Sequence, residues 1–160
     1  MTRQDTLEQL AKLAQQHGWV LATAESCTGG GIAKAITELP GSSAWFSCGL
    51  VTYSNLAKIN LLGVQPKDLE SLGAVSETVV KAMVAGACNQ GSADFAVATT
   101  GIAGPGGGSP EKPVGQVWLG WGSAQEQQTL CCQFSGDRHQ IREASIDQAL
   151  QALLDYLKQI

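Results

Sequence analysis

Three short segments hold residues able to open an acyl bond. The first is Glu25-Ser26-Cys27-Thr28-Gly29-Gly30-Gly31. A serine just ahead of a glycine-rich helix start is exposed, and the helix N–H groups beside it can hold a phosphate or stabilise an oxyanion. The second is Tyr53-Ser54-Asn55 with Lys58 one turn on. Lys58 sits among Leu56, Ala57, Ile59, Leu61 and Leu62. In apolar surroundings a lysine loses stabilisation of its charge, and its pKa falls toward neutrality. It can then take the proton of Ser26, a serine–lysine form of nucleophile activation. Tyr53 is either a proton relay or an aromatic packed at a strand end. The third is Thr99-Thr100-Gly101, which opens the stretch Ile102-Ala103-Gly104-Pro105-Gly106-Gly107-Gly108. Its hydroxyls and N–H groups suit ligand positioning, and the loop suits a lid.

Each residue also has a plainer reading. Ser26 can be an ordinary turn or N-cap serine, and Lys58 a solvated surface lysine. Glu25 and Cys27 flank Ser26, so this is not the G-x-S-x-G elbow, and no S-x-x-K spacing or Walker sequence occurs. Cys27 is the alternative nucleophile, but neither His17 nor His139 stands in a motif that would make it a partner. Arg138 and Arg142, four apart on one helix face, suit a phosphate or simply form a charged surface.

These segments need elements to bring them together. Leu7, Leu10, Ala11 and Ala14 repeat at helical spacing, with Thr2 or Asp5 as cap and His17-Gly18 as the end. Trp19–Ala24 reads as a buried strand, followed by a helix through Ile32, Ala33 and Ile36, with a break at Pro40-Gly41. Phe46–Tyr53 reads as a second strand. Ser54 or Asn55 caps a short helix that Gly63 stops, and a loop from Val64 to Val75 carries one helical turn after Pro66. Ser76 caps a helix closed by Gly91, and Asp94–Thr100 is a third strand. Gly115–Gly122 and Thr129–Phe134 alternate like a hairpin pair, and Asp137 or Ser135 caps a last helix reaching Lys158. Helices alternating with apolar strands predict one α/β domain over residues 1–160: a three-layer α/β/α sandwich on a mostly parallel, mixed sheet. In such sheets ligands bind beyond the carboxyl ends of the strands, where all three segments would meet.

Composition narrows the function. The net charge of −4 and scattered Lys and Arg argue against nucleic acid as partner, while a small anionic ligand needs only one or two arginines. Five cysteines, no C-x-x-C pair and two histidines argue against a zinc framework and a disulfide scaffold, so no metal is expected. A charged share of 15% is low for a soluble domain and is consistent with surface covered by another subunit. No signal core or long apolar run stands in the sequence, which predicts a cytoplasmic protein without a membrane partner.

Taken in order, Thr23–Gly30, Val51–Asn55 with Lys58, Gly73-Ala74-Val75-Ser76, Thr99–Gly107 and Pro113-Val114-Gly115 with Val117 resemble the CinA C-terminal domain family. The resemblance spans nearly the whole chain. It implies hydrolysis of nicotinamide mononucleotide to nicotinate mononucleotide and ammonia, in NAD recycling. It implies a three-layer α/β/α fold, a homo-oligomer (dimer or higher) and no metal or other cofactor. It implies Ser26 as nucleophile, Lys58 as base and Tyr53 as their assistant. Around the substrate, the expected residues are Thr28, Gly29, Gly30, Asn55, Thr100, Gly101, Ala103 and Gly104, with Arg138 or Arg142 on the phosphate. Two other readings compete: a non-catalytic nucleotide-binding module of the same fold, and a serine–lysine amidase for another small amide.

Overall fold

Leu21-Ala22-Thr23-Ala24-Glu25 is buried at every residue, as a strand must be when helices cover both faces of its sheet. In the computed structural model, which describes residues 1–160, this is strand β1 (Leu21–Glu25). The others are β2 (Phe46–Val51), β3 (Phe95–Gly101), β4 (Gln116–Gly122) and β5 (Gln127–Gln133). They form one five-stranded sheet in the order β2-β1-β3-β4-β5. β1 is parallel to both β2 and β3, and β4 runs antiparallel to β3 and to β5. Four strands therefore point one way and β4 alone runs against them, giving the expected mixed sheet.

Helices α1 (Arg3–His17), α2 (Gly31–Glu38) and α6 (Arg138–Leu157) cover one face, where the larger apolar core lies. Helices α3 (Asn55–Leu62), α4 (Pro66–Leu72) and α5 (Glu77–Gly91) cover the other. The caps follow from side-chain chemistry. Thr2 and Asp5 form a capping box on α1, as Asp137 and Gln140 do on α6. Ser54 and Ser76 accept the N–H groups of Ala57 and Val79 at the starts of α3 and α5.

Some boundaries differ from the sequence reading. β1 runs on to Glu25, whose register partners are Val51 and Thr99. β2 stops at Val51, so Tyr53 lies beyond it. The single turn expected after Pro66 is the seven-residue helix α4, started by proline at its first position. β5 runs Gln127–Gln133 rather than Thr129–Phe134.

Two glycines set the approach of helices that carry site residues. A Cβ at Gly86 of α5 would overlap the backbone of Leu62, so α3 ends against α5 backbone to backbone. A Cβ at Gly31 would strike Ile146, so α2 starts flush on α6. No helix is long and apolar enough to cross a membrane.

Candidate active site

Because β1, β2 and β3 are parallel, the segments that follow them emerge on one edge of the sheet. The ladder continues one step past β1: Thr52 N–H donates to Glu25 O at 2.9 Å, and Ser26 N–H donates to Thr99 O at 3.0 Å. Ser26 is thus fixed by backbone bonds immediately after a buried strand. Lys58 reaches it from the first turn of α3, with Nζ 2.9 Å from Ser26 Oγ.

The rest of the Lys58 environment decides its chemistry. Its side chain is only 1% exposed and makes no ion pair. Burial away from water disfavours the ammonium form and holds its pKa below the ordinary lysine value. Nζ also donates to Thr52 O at 2.8 Å and to Tyr53 O at 3.2 Å. Carbonyls only accept, so they occupy two N–H bonds. A neutral amine has two N–H bonds and one lone pair. In that neutral form, with both N–H bonds on the carbonyls, the lone pair faces Ser26 Oγ.

Cys27 lies beside Ser26 but is a poor nucleophile. Burial, with the nearby Glu25 charge adding, pushes its thiol up to about 11, so it stays protonated at neutral pH.

Glu25 is the functional side chain that sequence reasoning passed over. It is wholly buried, and its carboxylate accepts the N–H groups of Ile32 at 2.8 Å and Ala33 at 3.0 Å. It also accepts the Thr28 hydroxyl at 2.6 Å, and that hydroxyl lies 2.8 Å from Thr99 Oγ1. The start of α2 is thereby capped from inside the protein. The available signal is a carboxylate ending an apolar strand, with a threonine three residues on and glycines next.

An open cavity of about 280 Å³ contains Ser26 and Lys58. Tyr53, Asn55, Thr100, Gly101, Ala103, Gly104 and Arg138 line it with them. Thr100 Oγ1 donates to Ala74 O at 2.9 Å, which ties β3 to the segment before α5. Arg138 donates to Gly104 O at 2.8 Å and to the Tyr53 hydroxyl at 3.1 Å. Tyr53 therefore presents its carbonyl to Lys58 and its hydroxyl to Arg138.

The other expected residues are elsewhere. Thr28, Gly29, Gly30 and Arg142 line a separate depression on the outer side of the nucleophile loop, with Lys34 and Gly31. Arg142 points its guanidinium at loop carbonyls, donating to Cys27 O at 3.1 Å and Thr28 O at 3.2 Å.

Residues 3–157 match the model of the CinA C-terminal domain family. The nicotinamide-nucleotide amidohydrolase PncC of Pseudomonas putida is 55% identical over 134 residues, which are 84% of each chain. The protein of the same name from Escherichia coli K12 is 50% identical over 147 residues, 91% of this chain and 89% of its own. Among solved structures, the competence damage-inducible protein A of Klebsiella pneumoniae superposes with a TM-score of 0.95 at 35% identity, covering 99% of this chain and 98% of its own. The competence/damage inducible protein CihA of Agrobacterium tumefaciens gives 0.93 at 42% identity, covering 98% and 95%.

Proposed function

We propose, from the premise that the chain belongs to the CinA C-terminal domain family, that it is a nicotinamide-nucleotide amidohydrolase working through a Ser26–Lys58 pair. The observation that carries the mechanism is the buried amine 2.9 Å from Ser26 Oγ with its other two positions held by carbonyls.

Lys58 accepts the Ser26 proton as Oγ adds to the carboxamide carbon of nicotinamide mononucleotide. The C–N bond then breaks, and the proton held on Lys58 goes to the leaving nitrogen, which departs as ammonia. Water adds to the acyl-serine, giving its proton to Lys58. Nicotinate mononucleotide leaves, and the proton returns to Ser26 Oγ. Tyr53 assists by fixing Lys58 through its carbonyl and Arg138 through its hydroxyl. Asn55, Thr100, Gly101, Ala103 and Gly104 surround the substrate. No metal enters these steps. The reading includes a cytoplasmic homo-oligomer, a dimer or higher. Exposed Val51 on β2 and Leu130 on β5 lie on the two edge strands, apolar surface that a second copy would cover.

The test is ammonia release from nicotinamide mononucleotide by the purified protein, compared with other small amides. Release is expected without added metal. Activity abolished by EDTA and restored by zinc would overturn the serine–lysine reading. No release at all, with the mononucleotide still bound, would favour the nucleotide-binding module. Release from some other amide alone would make it a different amidase.

Arg138 is assigned to the phosphate because it lines the Ser26 cavity. A phosphate contact made away from the reacting carbon holds ground state and transition state alike. Arg138→Ala is expected to raise KM about tenfold or more and to leave kcat within about threefold. Steady-state kinetics decide this, and an unchanged KM would place the phosphate elsewhere.

A further inference from the structure

The mechanism leaves Arg142 without a role, although it makes two of the few side-chain contacts to the nucleophile loop. We propose that Arg142 is a positioning residue, gripping the loop from behind so that the N–H groups of Cys27 and Thr28 stay directed at the oxyanion of the amide being cleaved. The proposal rests on the amidase reading above.

The argument starts from peptide planarity. In a trans peptide the N–H points opposite to the C=O of the same unit. Cys27 O and Thr28 N share one unit, and Arg142 Nε holds that carbonyl at 3.1 Å. Ser26 O and Cys27 N share the preceding unit, and Gly29 N–H holds that carbonyl at 3.0 Å. Both units are therefore anchored on their carbonyl side. No oxygen of the chain accepts the N–H of either Cys27 or Thr28. Of the other N–H groups of the loop, Ser26 is used on Thr99, Gly29 on Ser26, Gly31 on Thr28, and Ile32 and Ala33 on Glu25, while Gly30, also without an acceptor, lines the outer depression and not the Ser26 cavity. The spare donors adjoining Ser26 thus belong to the two residues that follow the nucleophile, and the first of these positions is where α/β-hydrolases draw an oxyanion donor.

The loop is shaped for this grip. Gly29 has φ +60°, and a Cβ there would come within 3.0 Å of Arg142 Nη2. Glycine lets the guanidinium approach. A guanidinium fork can engage two successive carbonyls, whereas an ammonium is a single point of charge. Hydrogen bonding at a carbonyl also polarises its peptide unit, which strengthens the N–H at the other end.

The experiment compares Arg142→Met and Arg142→Lys with wild type on nicotinamide mononucleotide and on nicotinamide riboside, which has the same amide and no phosphate. The expected result is a kcat lower by about tenfold to hundredfold in the methionine variant, with KM within about twofold. The loss in kcat/KM is the same for both substrates, and lysine recovers only part of it. A second readout does not depend on the amidase reading. A fluorophosphonate bonds to Ser26 Oγ through phosphorus with loss of fluoride, and its phosphoryl oxygen needs the same donors. Its labelling rate should fall by a similar factor. Wild type that labels yet releases no ammonia would defeat the amidase reading while the labelling comparison still decides the role of Arg142. A folded Arg142→Met enzyme with normal kcat and labelling, and a raised KM for the nucleotide only, would overturn the proposal and make Arg142 a phosphate ligand. If the methionine variant does not fold, the lysine variant decides: undiminished kcat and labelling there would overturn it equally.

Discussion

Ser26→Ala is expected to lower kcat for nicotinamide mononucleotide by about 10³-fold or more, with no loss of folded protein. Losing the nucleophile removes covalent catalysis altogether. What survives is substrate binding and the oxyanion donors. The fold is spared because the side chain has one hydrogen-bond partner, Lys58 Nζ, and the backbone of residue 26 is held independently by Thr99 O. Cys27→Ala, one residue away, should be mild, since a thiol pushed up to about 11 supplies almost no thiolate at neutral pH. Single-turnover kinetics and a thermal melt on both variants settle the matter. A folded Ser26→Ala enzyme that kept most of its turnover would transfer the role to Cys27 or to direct attack by water.

Lys58→Arg is expected to be nearly inactive as well, at roughly the level of Lys58→Ala, because a guanidinium stays protonated and cannot accept the serine proton. Ser26 and Lys58 act as one unit, so the double mutant should lose little beyond either single mutant. The pH profile follows from the direction of the lysine shift. The active form is the neutral amine, and burial lowers the pKa. Activity should therefore rise with pH through an ionisation below the ordinary lysine value of about 10.4. Stability carries the same sign. Below that value the unfolded chain binds a proton that the folded site resists, so the contribution of Lys58 to stability falls as pH drops toward the folded pKa and is constant below it. An active Lys58→Arg enzyme would show that the residue supplies only charge, and Tyr53 would become the candidate base.

Much of this site could be read before any coordinates. The three strand ends converge because parallel order follows from alternating helices and apolar runs, and that order alone brings Ser26, Tyr53 and Thr100 to one edge. Helix caps were legible because serine, threonine and aspartate announce them locally. Other features depended on tertiary geometry. Arg138 and Arg142 share a helix face, yet one turn of α6 carries them to opposite sides of the nucleophile loop, so their sequence spacing could not divide their roles. The two contacts of Tyr53, carbonyl to lysine and hydroxyl to arginine, depend on where β2 ends. Glu25 was hidden for a different reason. Charge at the end of an apolar strand reads as a turn, and the donors that make its burial tolerable belong to residues seven and eight positions later.

A strand running into a glycine-rich helix start looks, from sequence, like a vacant seat for a nucleotide's phosphate. Here the seat has a permanent tenant. Glu25 is a ligand tethered to its own receptor, and tethering gives it an effective concentration that a freely diffusing ion would have to exceed to displace it. Inorganic phosphate or sulfate should therefore compete with substrate at the Arg138 side of the cavity and leave the start of α2 untouched. The same tenancy makes the nucleophile loop insensitive to the anion content of its surroundings. Its shape is written into the chain instead of being borrowed from whatever salt is present.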